Sequence, residues 1–255
     1  MAGSKVMSRK HLSQTWQRSF DSDDVWHDES DLFTDLIQEV MDKWNDIDDQ
    51  IWAKVIVMER NCRVGKAFLR RPEVVVTNEE FGFDINGRIG LRGFSNKMRD
   101  SETEVILKKI GKCCKISMDP GGNIWIKNLS RTVNCQTREA LSPTTATPVA
   151  SSRKLFDVNR FKSDIKKMTK ANNLQSLIQK TISIVQFGEP GDEILDQPLW
   201  FLVINIVALD FLKSKLGVDV RRISGNEILP LVQDRKEDED EALGHPLSWH
   251  SYHVT

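Results

Sequence analysis

No apolar run in this sequence is long enough to cross a bilayer; the longest, LWFLVINIVALDFL, is broken by Asn205 and Asp210. The first residues, MAGSKVMSRKHLSQ, lack the apolar stretch of a secretory signal, so nothing points to export. The four cysteines, Cys62, Cys113, Cys114 and Cys135, form no CxxC pair. A reducing, intracellular setting, cytosolic or nuclear, is therefore expected. Strands and helices do not alternate as βαβ units, and no repeat of 20–50 residues is visible. A parallel α/β sheet, a solenoid and a propeller are thereby set aside.

Catalytic groupings are missing as well. Cys113 and Cys114 have no histidine near them in sequence, and two adjacent cysteines cannot chelate a metal without further ligands. A nucleophilic thiol needs a base to make thiolate; Lys112 and Lys115 could lower a thiol pKa, but no orienting third group is recognisable. The glycines of GFDINGRIGLRG lack the strand-loop-helix setting and the Lys-Ser/Thr ending of a phosphate loop. Glu79, Glu80 and Asp84 have no acid/base spacing. His245, His250 and His253 at the end read as a polar tail with adventitious metal affinity at most. No enzyme, cofactor or metal is expected.

What the sequence does have is charge asymmetry hidden under a net charge of −1. Residues 21–49 hold twelve Asp/Glu against one Lys, and DRKEDEDE at 234–241 holds six against two. Residues 50–233 carry 29 Lys/Arg against 19 Asp/Glu. The acidic runs read either as solvated segments or as flanks that shield and steer a basic central domain. A nucleic-acid binder is disfavoured, because no basic repeat is interleaved with aromatics.

Periodicity then gives the elements. SDLFTDLIQEVMDKW predicts a helix over about 31–46, capped by Ser30 or Asp31, with Leu32, Leu36, Val40 and Trp44 in one row and Phe33, Ile37 and Met41 in the next. Such a stripe needs a partner surface, more often within the chain than on another. IWAKVIVMER alternates as a strand, and EVVVTNEEFGFDINGRIGLRGF reads as short strands broken by turn residues. SETEVILKKIG predicts a short helix with Ser101 as its cap, Ile106 and Ile110 inside and Gly111 as its stop. CKISMDPGGNIWIKN is a hairpin turning at Pro120, Gly121 and Gly122, where Cys113 and Cys114 point to opposite faces, one inward and one outward. LSPTTATPVASS at 141–152 reads as an unstructured loop, with Ser142-Pro and Thr147-Pro as dipeptides open to proline-directed kinases. Two basic helices follow, lined by Phe161, Ile165 and Met168 and by Leu174, Leu177 and Ile178. TISIVQF and LWFLVINI are strands, and ALDFLKSKLG is a closing helix. Nine or ten short strands with late helices predict an antiparallel sandwich with helices at its ends.

Five blocks, in order over about residues 50–217, resemble the C-terminal Mad-homology domain of the Smad signal transducers. They are IWAKVIVMERNCRVGKAF, RIGLRGFSNKMR, ETEVILKKIGKCCKI, KLFDVNRFKSDI and QPLWFLVINIVALDFLKSKL. Trp52, Glu59, Arg63, Val64, Gly65 and Phe68 carry the first block; Pro198, Trp200, Leu209 and Leu212 carry the last. The resemblance implies a mainly β fold, an antiparallel β-sandwich of the Smad/forkhead-associated type. A three-helix bundle lies at one end and a loop-helix region at the other. It implies a protein-binding domain without catalysis, which in receptor-activated Smads docks a phosphorylated Ser-x-Ser tail in a basic pocket of a neighbouring subunit.

This chain departs from that pattern where the tail would bind. GEPGDEILDQP places Glu189, Asp192, Glu193 and Asp196 in the loop that the family makes basic, and such carboxylates repel phosphoserine. The chain ends SYHVT, and no N-terminal DNA-binding Mad-homology domain is recognisable. The arrangement is most similar to the Smad-related Expansion proteins of invertebrates. The expected organisation is an acidic extension over 1–49, a Smad-like domain over 50–217 and an acidic extension over 218–255. Expected function is a protein-protein interaction module in signalling or transcriptional regulation; the competing reading is a cytoplasmic or cortical scaffold. Partners are other proteins, phosphorylated or Smad-related ones among them, with self-association a further mode; neither direct DNA binding nor a membrane span is expected. Lys108, Lys109 and Lys112 form one candidate binding edge, with Lys108 and Lys112 on one face if the helix runs that far. Lys162, Lys166, Lys167 and Lys170 form the second. Plain solvated faces are the alternative for both.

Overall fold

The computed structural model describes residues 26–84, 86–140, 142–167, 172–189, 191 and 193–216. The chain enters through helix α1 (Glu29–Asp42) and a single 3-10 turn at Trp44–Asp46. Asp28 caps α1 by accepting from the Asp31 N–H, so the cap lies ahead of the Ser30 or Asp31 expected. The α-helical part also ends earlier, at Asp42. Most of the apolar stripe is used within the chain: Leu32, Phe33, Leu36, Ile37, Val40 and Met41 are all buried, while Trp44, expected in the same row, lies in the 3-10 turn and is half-buried against the core.

Twelve strands follow among the described residues. They are β1 (Ala53–Met58), β2 (Arg63–Leu69), β3 (Glu73–Thr77), β4 (Gly82–Phe83), β5 (Arg88–Gly90), β6 (Lys112–Met118), β7 (Ile124–Asn128), β8 (Cys135–Glu139), β9 (Thr145–Ala146), β10 (Ser152–Phe156), β11 (Ile182–Phe187) and β12 (Leu199–Asn205). Helix α2 (Ser101–Lys109) separates β5 from β6; α3 (Val158–Lys167) and α4 (Asn172–Gln179) precede β11; α5 (Ile206–Leu216) follows β12. One sheet runs β2-β1-β12-β11-β8-β9 and the other β10-β7-β6-β3-β5-β4. Every pairing is antiparallel except β3 with β5, where Val76 lies opposite Ile89 in parallel. Both sheets and the helices share one contiguous apolar core, the arrangement of a β-sandwich. Across it the Ser183 hydroxyl of β11 donates to the Leu155 carbonyl of β10 at 3.0 Å.

Three expectations are corrected by tertiary context. Strand β1 is buried at all six positions, because α1 covers the face that alternation would have left wet; even Lys54 is 1% exposed. Cys113 and Cys114 are both fully buried, with their sulfurs 4.0 Å apart. Val76 pairs with Cys114 and Thr77 with Lys112, so Cys113 is the extra residue of a bulge and strict alternation fails there. The 141–152 segment is not structureless: β9 pairs with Gln136 and Thr137, and Thr147 is buried, out of a kinase's reach. The predicted turns fare better. Gly111 and Gly122 both take positive φ, at +58° and +83°, the conformations a helix stop and a tight hairpin require.

Candidate protein-interaction surface

The β1–β2 turn, the loop before α2 and the segment joining β11 to β12 meet at one end of the sandwich, and Arg60 ties them together. Its backbone is left-handed, φ 50°, with the Arg60 N–H donating to the Gln197 carbonyl at 3.0 Å and its own carbonyl accepting from the Trp200 indole at 3.1 Å. Its guanidinium pairs with Asp100, reaches Glu102 at 2.8 Å and donates to the Asp196 carbonyl at 2.5 Å. Asp100 also caps α2, accepting from the Thr103 N–H at 2.8 Å, so the cap is one residue before the Ser101 expected. Burial works to raise the Asp100 carboxyl, but the Thr103 and Arg60 contacts outweigh it and hold it below the usual range. Beside this knot, Glu59 is buried and takes a forked pair from Arg99, with Asn96 donating at 2.7 Å. A shallow pocket of about 200 Å³ between Glu59, Arg60, Met98 and Thr103 has its charged groups engaged in these pairs.

Two apolar side chains are exposed on the loop and helix that carry this knot. Met98 is 85% exposed on the loop and Val105 is 46% exposed on α2. Lys108 and Lys109 lie in the last helical turn, where the macrodipole favours cations. Lys108 is 3.4 Å from Glu104; the Lys109 carbonyl accepts from the Thr132 hydroxyl. Helix α2 stops at Lys109 and Lys112 begins β6, so Lys108 and Lys112 do not share a helix face. All three lysines are exposed. Across the loop, Glu189, Glu193 and Asp196 are exposed, and Glu189 accepts from the Asn134 amide at 2.9 Å.

The second lysine set lies on α3. Lys162 holds its ammonium 5.5 Å from the Phe211 ring of α5, with Lys215 on the same ring at 5.9 Å. Lys166 and Lys167 are exposed; Lys170 and Met168 lie outside the described residues. Sequence reasoning missed Arg60, Asp100, Met98 and Val105. A methionine in the polar stretch SNKMRD was the one available signal; the Arg60 knot joins segments over a hundred residues apart and left none.

Among the described residues no cluster of His, Cys, Asp or Glu could hold a metal, and no helix is long and apolar enough to cross a membrane. Burial first, and then neighbouring Cys114, pushes the Cys113 thiol well above its ordinary value, which opposes a reactive thiolate. Two stacked sheets share one apolar core, and charged side chains gather at the end where Arg60 joins its three segments. The family model of the MH2 domain matches residues 50–206, and the chain belongs to that family of protein-interaction domains. A search of curated proteins gave no match. Among solved structures, the chain is similar to the interferon regulatory factor 9 IAD domain at 13% identity and a TM-score of 0.46, over 67% of this chain and 94% of that one. It is also similar to a chain in the structure of STAT2 in complex with IRF9, at 10% identity and 0.47, over 64% and 96%.

Proposed function

We propose that this chain is a non-enzymatic interaction module of the Smad type, serving intracellular signalling or transcriptional regulation without a receptor-phosphorylated tail. The MH2 match over residues 50–206 carries the reading. The acidic loop supports its second half: Glu189, Glu193 and Asp196 are exposed where a phosphoserine pocket would need cations, and Arg60 is already paired with Asp100 and Glu102. Partners are other proteins, Smad-related ones or a second copy included, met in the cytoplasm and also in the nucleus. The Expansion proteins of invertebrates are the likeness we favour. In this reading residues 50–217 are the module, with α3, α4 and α5 as its three-helix bundle and α2 with its preceding loop as the loop-helix end. Residues 1–49 and 218–255 are acidic extensions.

Lys108, Lys109 and Lys112, beside Val105 and Met98, form the first docking edge; Lys162, Lys166, Lys167 and Lys170 form the second. Reversing Lys108 and Lys109 to Glu should reduce recovery of specific partners several-fold in quantitative affinity purification. The melting temperature should move by no more than about 2 °C, since exposed substitutions stay within roughly 0.5 kcal/mol. Unchanged recovery discards that edge.

A further inference from the structure

The registers of the first sheet align one cross-strand row on its outer face: Arg138 of β8, Ile184 of β11, Leu202 of β12, Ile56 of β1 and Lys66 of β2. The row is apolar in the middle and basic at both ends. Helix α1 lies along it. Glu29, in the first turn, pairs with Arg138 at 2.6 Å; Glu39, in the last, pairs with Lys66 at 2.6 Å. The lengths agree. Four strand spacings are about 19 Å, and the ten residues from Glu29 to Glu39 rise about 15 Å, with side-chain reach closing the difference.

Recognition at the Glu39 end is overbuilt for one internal contact. Lys54 at 3.0 Å, Arg63 at 2.6 Å and Lys66 converge on the Glu39 carboxylate, and Lys43 stands 3.9 Å away. Lys54 is buried and its ammonium also faces the Phe68 ring. Ahead of the helix, Trp26 is fixed by a reciprocal pair, its N–H donating to the Asn61 side chain at 3.3 Å and its carbonyl accepting from the Asn61 amide at 2.6 Å. Every residue of the receptor row lies inside the MH2 span of 50–206, whereas α1 lies wholly before it. The groove thus belongs to the module and its occupant to the flank.

We infer that the outer face of the first sheet is a helix-recognition groove with α1 as its resident occupant, exchangeable for an acidic amphipathic helix of a partner protein. That helix carries an apolar stripe between two carboxylates about ten residues apart, because the row offers apolar side chains between Arg138 and the Lys54/Arg63/Lys66 cage. It makes the contacts α1 makes, so exchange is opposed chiefly by the high effective concentration of the tethered helix. Occupancy by α1 sets the threshold a partner must exceed. This surface is separate from the Lys108/Lys109 edge, and the two can fail independently.

The probe is a fluorescein-labelled peptide of residues 26–46, titrated against the full chain by anisotropy. The unaltered protein should bind it weakly. Leu36→Ala, which loosens the resident helix without touching the receptor, should tighten binding at least tenfold; Glu29→Gln, at the more exposed end, should shift it less in the same direction. Adding Lys66→Glu to the Leu36→Ala protein, or Glu39→Lys to the peptide, should abolish binding. Circular dichroism melts establish that each variant is folded, and Glu29→Gln decides if Leu36→Ala is not. No tightening in a folded variant, or equal binding of the charge-reversed peptide, overturns the inference. Concentration-dependent dimers of Leu36→Ala in light scattering would overturn the partner assignment and give the groove to the helix of a second copy. Peptide binding unchanged by Lys108→Glu/Lys109→Glu separates this surface from the proposed docking edge.

Discussion

Four cations converge on Glu39, and the partners of that cluster respond to it in opposite ways. Burial alone would raise the Glu39 carboxyl, but Lys54, Lys66 and Arg63 together outweigh it and hold the group well below its ordinary 4.5. Lys54 feels burial first, only one carboxylate in return and two neighbouring cations besides, so it is pushed down to about 8. The consequences differ. Glu39→Gln strands a buried ammonium and should cost about 3 kcal/mol, the usual penalty for removing one partner of a buried pair. Lys54→Met removes the burial penalty and leaves Glu39 with Arg63 and Lys66, so it should be neutral within about 1 kcal/mol. Because the folded Glu39 value lies below the unfolded one, its stabilisation is present above about pH 4.5 and is lost as pH falls. The gap between Glu39→Gln and the unaltered protein should therefore narrow in acid. For Lys54 the unfolded chain holds the proton up to about 10.5 and the folded one only to about 8. Stability should rise with pH in that window, and Lys54→Met should lack the rise. Urea titrations across pH check both; equal losses for the two variants would refute this account of the cluster.

Helix α2 shows how far an element can be read from its own residues. SETEVILKKIG gave the helix, its buried Ile106 and Ile110 and its glycine stop, all of which the structure keeps. The cap moved by one because Asp100 is also the anchor of Arg60, a contact no local pattern encodes. Asp100→Ala should destabilise by at least about 1 kcal/mol, the ordinary worth of a cap. Ser101→Ala should stay within about 0.5 kcal/mol. Thermal melts of the two variants decide between the caps. The α1 stripe was likewise legible as a stripe, while the surface beneath it was not. Strands β4 and β9, two residues each, carry no period; the bulge at Cys113 exists only against β3.

At the scale of the molecule, the chain closes on itself: β1 pairs with β12 from Ala53 opposite Asn205 to Met58 opposite Trp200. The last strand among the described residues, β12, is central in the first sheet, between β1 and β11, and buried at all seven positions. A chain ending before Leu199 loses that strand and α5, leaving the apolar edges of β1 and β11 unpaired. It should lack a cooperative melt and a dispersed amide spectrum; a native-like spectrum would show that the module closes without β12. Such distant pairing also places folding among the slower topologies.

By itself the sequence determined the class of the fold, the helix faces and the turns, because periodicity and glycine positions are local. It also carried the five blocks of the Mad-homology resemblance, and the lysines exposed on α2 and α3. Only the tertiary structure decided that Arg60 joins three loops, that adjacent cysteines are both buried, and that an acidic flank fits a basic-ended row on the sheet. Each of those depends on residues brought together from distant parts of the chain, and contact between distant residues is set by register and packing, which no short window of sequence contains.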